Sequence, residues 1–234
     1  LLANPGIKIL ELTKARRRIA LDELAEQLYT KPEKLLEIIG DLTQTGLISC
    51  DRHSLEVDSA QRLMLATRLV HVGCDPQKVS RYLEWQEFEK FAAESLEENG
   101  FRTVKHLVFK SKLGRREIDL LAWNDSFLMA IDCKHWLRGL STSTSLKVAR
   151  AQGERAEALA GRVEILKKCG VDFVEKRYLI PVILCMAEPR NNVVDGVPIV
   201  PVSKLINFLY GVSPIDEVLR RIPVKSQMTQ SSLL

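Results

Sequence analysis

Over the first hundred residues, apolar positions recur three and four apart, the period of a helix with one buried face. Ile7, Leu10 and Leu12 open one such segment, and Leu21, Leu24, Ala25 and Leu28 form a second. Leu35, Ile38, Ile39 and Leu42 form a third that ends at Gly46, with Thr30 as its expected cap, Pro32 near its first turn and Glu33 three residues on. Leu47–Cys50 and Leu55–Asp58 read as short strands around the turn Asp51-Arg52-His53-Ser54. Residues 59–83 read as two helices, the second starting at Asp75-Pro76. Trp85 to Asn99 carries Phe88, Phe91, Ala92 and Leu96 on one face and stops at Gly100, a glycine C-cap.

Beyond Gly100 the period falls to two. Strands are expected over Thr103–Phe109, Glu117–Trp123 and Phe127–Lys134, joined by a basic turn at 110–116 and a tight turn at Asn124-Asp125-Ser126. A long helix from about Ser143 to Cys169 follows, then buried strands at Tyr178–Met186 and Val197–Val200. Val202–Tyr210 and Pro214–Arg221 read as closing helices. The fold class is therefore α/β. The expected organisation is a helical module at 1–58, a helical linker at 59–83, a main domain at 84–222 and a disordered polar tail at 223–234.

The 234 residues, 46% apolar and 27% charged, are those of an ordinary globular chain with no membrane-length apolar run. The opening Leu1-Leu2-Ala3-Asn4-Pro5-Gly6 does not read as a secretory leader. Five widely spaced cysteines without a C-x-x-C speak against a disulfide framework or zinc finger, and for a reducing cytoplasmic setting. The net charge of +4 is unevenly spread: residues 101–168 carry 14 basic against 7 acidic groups. An anionic partner belongs there, unless the block is a plain solvated surface.

Three helices and a hairpin are the order of a winged helix-turn-helix, so 1–58 is expected to be a winged-helix-like domain. Its third helix, the one that would read DNA, exposes Glu33, Glu37 and Asp41 as an acidic stripe, whereas Arg16, Arg17, Arg18 and Arg52 favour phosphate. DNA contact and protein contact both remain open for this module.

The chemistry concentrates in Gly114-Arg-Arg-Glu-Ile-Asp119 and Phe127-Leu-Met-Ala-Ile-Asp132-Cys-Lys134-His-Trp136. Strand alternation sets Asp132 and Lys134 on one face, and Asp119 on the neighbouring strand can approach Asp132 across the ladder. Two converging carboxylates repel each other. A hard divalent cation, Mg²⁺ or Mn²⁺, relieves that repulsion and activates water beside a phosphate. A buried Asp119–Lys134 ion pair with Asp132 at the strand end satisfies the same spacing.

The order helix glutamate, then Asp, then Asp-x-Lys resembles the PD-(D/E)XK nuclease superfamily, and within it the Mrr-type restriction endonucleases and archaeal Holliday junction resolvases. The resemblance spans about residues 84–210 and includes the helix Glu87-Phe-Glu89-Lys-Phe. It implies a restriction-endonuclease-like α/β/α core with a mixed sheet. It assigns Asp119 and Asp132 to the metal, Lys134 to catalysis, and Glu89 to support of the metal or its water, with Glu87 as the competing register. Gln152 matches an extra active-site glutamine of some branches. Ile118 stands where the motif has proline, and Asp132 where glutamate is commoner. Glu117 is expected to face away from Asp119.

Lys110, Lys112, Arg115 and Arg116 precede the first acid, and Arg138, Lys147, Arg150 and Arg155 extend the basic block. All are candidates for phosphate contact. The resulting expectation is a metal-dependent DNA endonuclease leaving 5′-phosphates, a homodimer, with no membrane association and with a helicase or ATPase partner left open. The alternatives are an inactive nuclease-fold DNA-binding accessory protein and a winged-helix transcriptional regulator.

Overall fold

The computed structural model describes residues 3–112, 114–136, 141–173, 177–186, 188–211, 213 and 216–224. The chain divides into two compact units, Leu1–Ala92 and Ala93–Leu234.

In the first unit, α1 (Ala3–Leu12) is followed by β1 (Arg18–Ala20), α2 (Leu21–Gln27), α3 (Pro32–Gln44), β2 (Ser49–Cys50) and β3 (Ser54–Glu56). The strands form an antiparallel sheet in the order β1-β3-β2. The three residues of β1 were not anticipated, because so short a strand carries no readable alternation. Leu24, Leu35, Ile39 and Leu42 are buried where the helical spacing put them. The cap of α3 is Lys31, without a side-chain hydrogen bond, rather than Thr30. Tyr29 takes a positive φ, and the Thr30 N–H is spent on the Ala25 carbonyl.

Helices α4 (Ser59–His71) and α5 (Pro76–Ser80) follow, each started by an aspartate whose side chain accepts a backbone N–H. Arg62 of α4 is wholly buried and donates to the carbonyls of Leu10 and Tyr82, to Thr13 and to Glu87. Removing that guanidinium from water is compensated by filling its fork of donors with acceptors.

The division between the units falls inside α6 (Trp85–Glu98). The second unit is built on β4 (Arg102–Ser111), β5 (Gly114–Trp123), β6 (Leu128–Lys134), α7 (Thr142–Ala160), α8 (Val163–Lys168), β7 (Arg177–Cys185), β8 (Val193–Val194), β9 (Val197–Pro201), a short 3₁₀ turn at Val202–Lys204, α9 (Leu205–Gly211) and β10 (Ile222–Val224). A seven-stranded mixed sheet runs in the order β4-β5-β6-β7-β9-β8, with β10 beside the start of β7. The pairs β4–β5 and β5–β6 are antiparallel, and β6–β7 and β7–β9 are parallel.

Two helix expectations are corrected. The long helix from Ser143 to Cys169 is broken at Gly161-Arg162 into α7 and α8. Of the segment Pro214–Arg221, the described residues 216–221 form a turn leading into β10, whose three residues pair with β7. Backbone pairing with an open strand edge offers these residues more than one isolated helical turn does.

Helix α7 buries Ala149, Gln152, Gly153, Ala156, Leu159 and Ala160 at helical spacing. Its C-terminal half joins Leu121, Trp123, Leu128, Ala130 and Leu179 in one core cluster, and Ala149 near its start joins Ile183, Cys185, Val197 and Ile199 in another. The first cluster holds Ile118 together with Leu121, and Val104 together with Leu107. Strict alternation would set the members of each pair on opposite faces. The alternation slips between them, where His106 lies opposite Asp119, the β4–β5 register has a gap, and His106 adopts φ +52°.

Candidate active site

The β5–β6 ladder runs from Trp123↔Leu128 to Leu120↔Ile131 and stops. One step further brings Asp119 opposite Asp132. There the Asp119 carboxylate takes over the strand's role: its Oδ2 accepts the Cys133 N–H at 2.8 Å. Asp132 is only 2% exposed. A buried carboxylate demands cationic partners, and it has two. Arg155 Nη2 lies 2.7 Å from Oδ1 and Lys134 Nζ 2.7 Å from Oδ2. The Arg155 contact is an aligned hydrogen bond. The lysine contact is Coulombic, and Oδ2 receives no aligned hydrogen bond from the described residues. Lys134 thus pairs with Asp132, its neighbour on the same strand face.

Burial holds the Asp119 carboxyl above the ordinary aspartate range. The Cys133 N–H opposes this, the negative charge of Asp132 adds to it, and Lys134 and Arg155 pull the other way. Two anions and two cations therefore share the open end of the β5–β6 ladder.

Helix α7 supplies the outer support. Gln152 is fully buried; its Nε2 donates to the Ala130 carbonyl at 2.7 Å, and its Oε1 accepts from Arg155 Nε at 3.0 Å. Gln152 therefore acts on Asp132 through Arg155. Arg155, expected on an outer phosphate-binding face, is turned inward onto Asp132, because a buried carboxylate binds a guanidinium more strongly than solvent does. The sequence did hold a signal for this pair: Gln152 and Arg155 are three apart on a helix, hence on one face.

Lys110 pairs across the hairpin with Arg115, and Arg116 lies opposite Phe109. Lys110, Lys112 and Arg115 are exposed. Arg115 is four residues from Asp119 along β5, about 13 Å at strand rise, so the hairpin projects beyond the acids. Lys147 and Arg150 are exposed on α7, and Arg150 lies 4.0 Å from Asp195. Arg138 lies outside the described residues. Glu117 is exposed and 3.3 Å from His106 Nδ1.

Both helix acids of α6 are buried. Glu87 is committed within the first unit: it accepts from Arg62 Nε at 3.0 Å, from the Glu84 N–H at 2.8 Å and from Arg17 at 3.3 Å. Arg16 and Arg18 are likewise paired, with Glu23 and Asp51. Arg16, Arg17 and Arg18, expected to draw the N-terminal module to phosphate, thus have carboxylate partners within the first unit, whereas Arg52, Glu33, Glu37 and Asp41 are exposed.

The donor set fits one hard divalent cation. Asp119 and Asp132 provide two carboxylates, and Asp132 Oδ2 is a buried oxygen without an aligned donor. Two carboxylates are the number Mg²⁺ commonly takes from protein, the rest of its shell being water and phosphate oxygen. No group of three or more His, Cys, Asp and Glu side chains forms a metal cage among the described residues.

Residues 80–162 match the family model Mrr_cat, described as restriction endonuclease. An uncharacterized protein of Archaeoglobus fulgidus is 28% identical over 131 residues, covering 54% of this chain and 90% of its own. Among solved structures, a protein of unknown function, AF1548, is 21% identical with a TM-score of 0.30, over 53% of this chain and 54% of its own. Protein VC1899 from Vibrio cholerae is 14% identical with a TM-score of 0.40, over 90% of this chain and 50% of its own. The chain spans about half the length of each of these two solved proteins.

Proposed function

Given that residues 80–162 carry a domain of the restriction endonuclease family Mrr_cat, we propose that this protein is a divalent-metal-dependent endonuclease that hydrolyses phosphodiester bonds of DNA. The observation that carries the reading is the meeting of Asp119 and Asp132 where the β5–β6 ladder ends, with Lys134 on Asp132. Held by Asp119 and Asp132, Mg²⁺ or Mn²⁺ supplies Lewis acidity toward a phosphate oxygen and a water of lowered pKa. The Lys134 ammonium stabilises negative charge building on the phosphate, a role its quarter exposure beside Asp132 supports. Glu89 assists on the strength of the family resemblance, now that Glu87 is engaged by Arg62.

The exposed Lys110, Lys112 and Arg115, with Arg116, seat the DNA backbone without reading sequence. Lys147 and Arg150 extend that track along α7. Cutting both strands needs two sites, hence a homodimer. Residues 1–58 act as a winged-helix-like module. Its paired arginines and acidic α3 favour contact with protein or with a second copy over contact with DNA. The five cysteines, none of them in a disulfide, suit a reducing cytoplasm, and no described helix is long and apolar enough to cross a membrane.

Nicking of supercoiled plasmid and cleavage of branched DNA with Mg²⁺ or Mn²⁺ test the proposal. The wild type is expected to cut with a chelator-sensitive requirement, and Asp132→Ala and Lys134→Ala to lose at least about a hundredfold in rate. Equal cutting by all three overturns the assignment. Salt-dependent DNA binding without cutting replaces it with a non-catalytic binding role.

A further inference from the structure

We infer that Arg155, locked by Gln152, is a positioning residue that fixes the Asp132 carboxylate for its cation. The inference rests on reading Asp119 and Asp132 as the cation's ligands, and concerns how one of them is held.

The bracket begins and ends on one strand. Ala130 and Asp132 are two residues apart on β6, so both address α7. From Ala130 the contacts run through its carbonyl to Gln152 Nε2, from Gln152 Oε1 to Arg155 Nε, and from Arg155 Nη2 to Asp132 Oδ1. Only one amide orientation satisfies this. A reversed Gln152 would set its carbonyl against the Ala130 carbonyl and its NH₂ against Arg155 Nε–H. With no exposed surface, Gln152 has no water to rescue the reversed form.

The guanidinium is planar, so holding Nε fixes the direction of Nη2. Asp132 Oδ1 is consequently taken and Oδ2 is left beside Lys134. Arg155 and Lys134 together also balance the two acids, so the carboxylates stay arranged before any cation arrives. A lysine at position 155 keeps the charge but cannot contact Gln152 and Asp132 in one fixed plane.

Mn²⁺ binding to the full chain, read by electron paramagnetic resonance of the free ion, tests this beside thermal melting. Arg155→Lys is expected to keep its fold and bind Mn²⁺ about tenfold more weakly than wild type, the loss typical when a ligand's hydrogen-bonding partner is removed. In Arg155→Ala, millimolar guanidinium is expected to restore binding where equal ethylammonium does not. Wild-type affinity in Arg155→Lys, or equal effects of the two cations on Arg155→Ala, overturns the inference and leaves the nuclease reading standing. A wild type that binds no Mn²⁺ overturns that reading and the inference with it.

Discussion

The Asp119 carboxylate occupies a place that a strand carbonyl would fill, accepting the Cys133 N–H at 2.8 Å where β5 and β6 part. One oxygen is thereby tied to the backbone of the strand that bears Asp132. The acid is both a structural cap and a charge held near a second charge. These two roles are separable by substitution.

Asp119→Asn keeps an acceptor for Cys133 and removes the charge. Burial raises the Asp119 pKa in the folded state, so without metal the unfolded chain releases this proton first. The associated stability is present below the ordinary carboxylate value of about 4 and is lost as pH rises through the folded value. In metal-free buffer, Asp119→Asn is expected to melt higher than wild type by a margin that widens as pH rises from about 4. Mg²⁺ should raise the melting point of wild type and not of the variant. Parallel melting profiles across that range would contradict both.

The basic hairpin should contribute through phosphate contacts alone. Replacing Arg115 and Arg116 together by Ala is expected to weaken binding to unrelated duplexes equally. The slope of log affinity against log salt should become shallower by about 0.9 for each phosphate that the variant no longer neutralises. Fluorescence anisotropy at several salt concentrations measures it, and an unchanged slope removes the hairpin from the DNA track.

Glu87 and Glu89 should fail differently. Glu87→Ala strands the fully buried Arg62 and is expected to cost about 3–5 kcal/mol in urea unfolding. Glu89→Gln is expected to abolish metal-dependent cutting with a smaller stability loss. A stability cost for Glu89→Gln as large as that for Glu87→Ala would make both purely structural.

Arg18→Ala tests the N-terminal module. Arg18 donates to Ser54 and Asp51 in the hairpin turn, where Asp51 also accepts the His53 and Ser54 N–H groups. Those bonds hold the Asp51 carboxyl below the usual aspartate range. Losing an exposed pair of this kind is expected to leave the melting point nearly unchanged, and DNA affinity should not change. A drop in affinity would return this module to DNA contact.

How far the chain could be read in advance follows from where the physics is local. Helix periodicity, the glycine stop at Gly100 and the change of period beyond it are properties of neighbouring residues, so α6, β5, β6 and the nearness of Lys134 to Asp132 were legible. The short strands β1, β8 and β10 were not, because two or three residues carry no pattern and exist only through the strand beside them. The same division runs through the site. Side-chain type and strand spacing set Lys134 beside Asp132, whereas Cys133 as partner of Asp119 and Arg155 as partner of Asp132 come from contacts more than ten residues apart. Arg155 turned from a surface cation into the partner of Asp132, and Glu87 into the partner of Arg62, once packing on α7 and the buried Arg62 had claimed their charges. A charged group goes where burial leaves an opposite charge unmet, and only the tertiary structure determines which charges are buried.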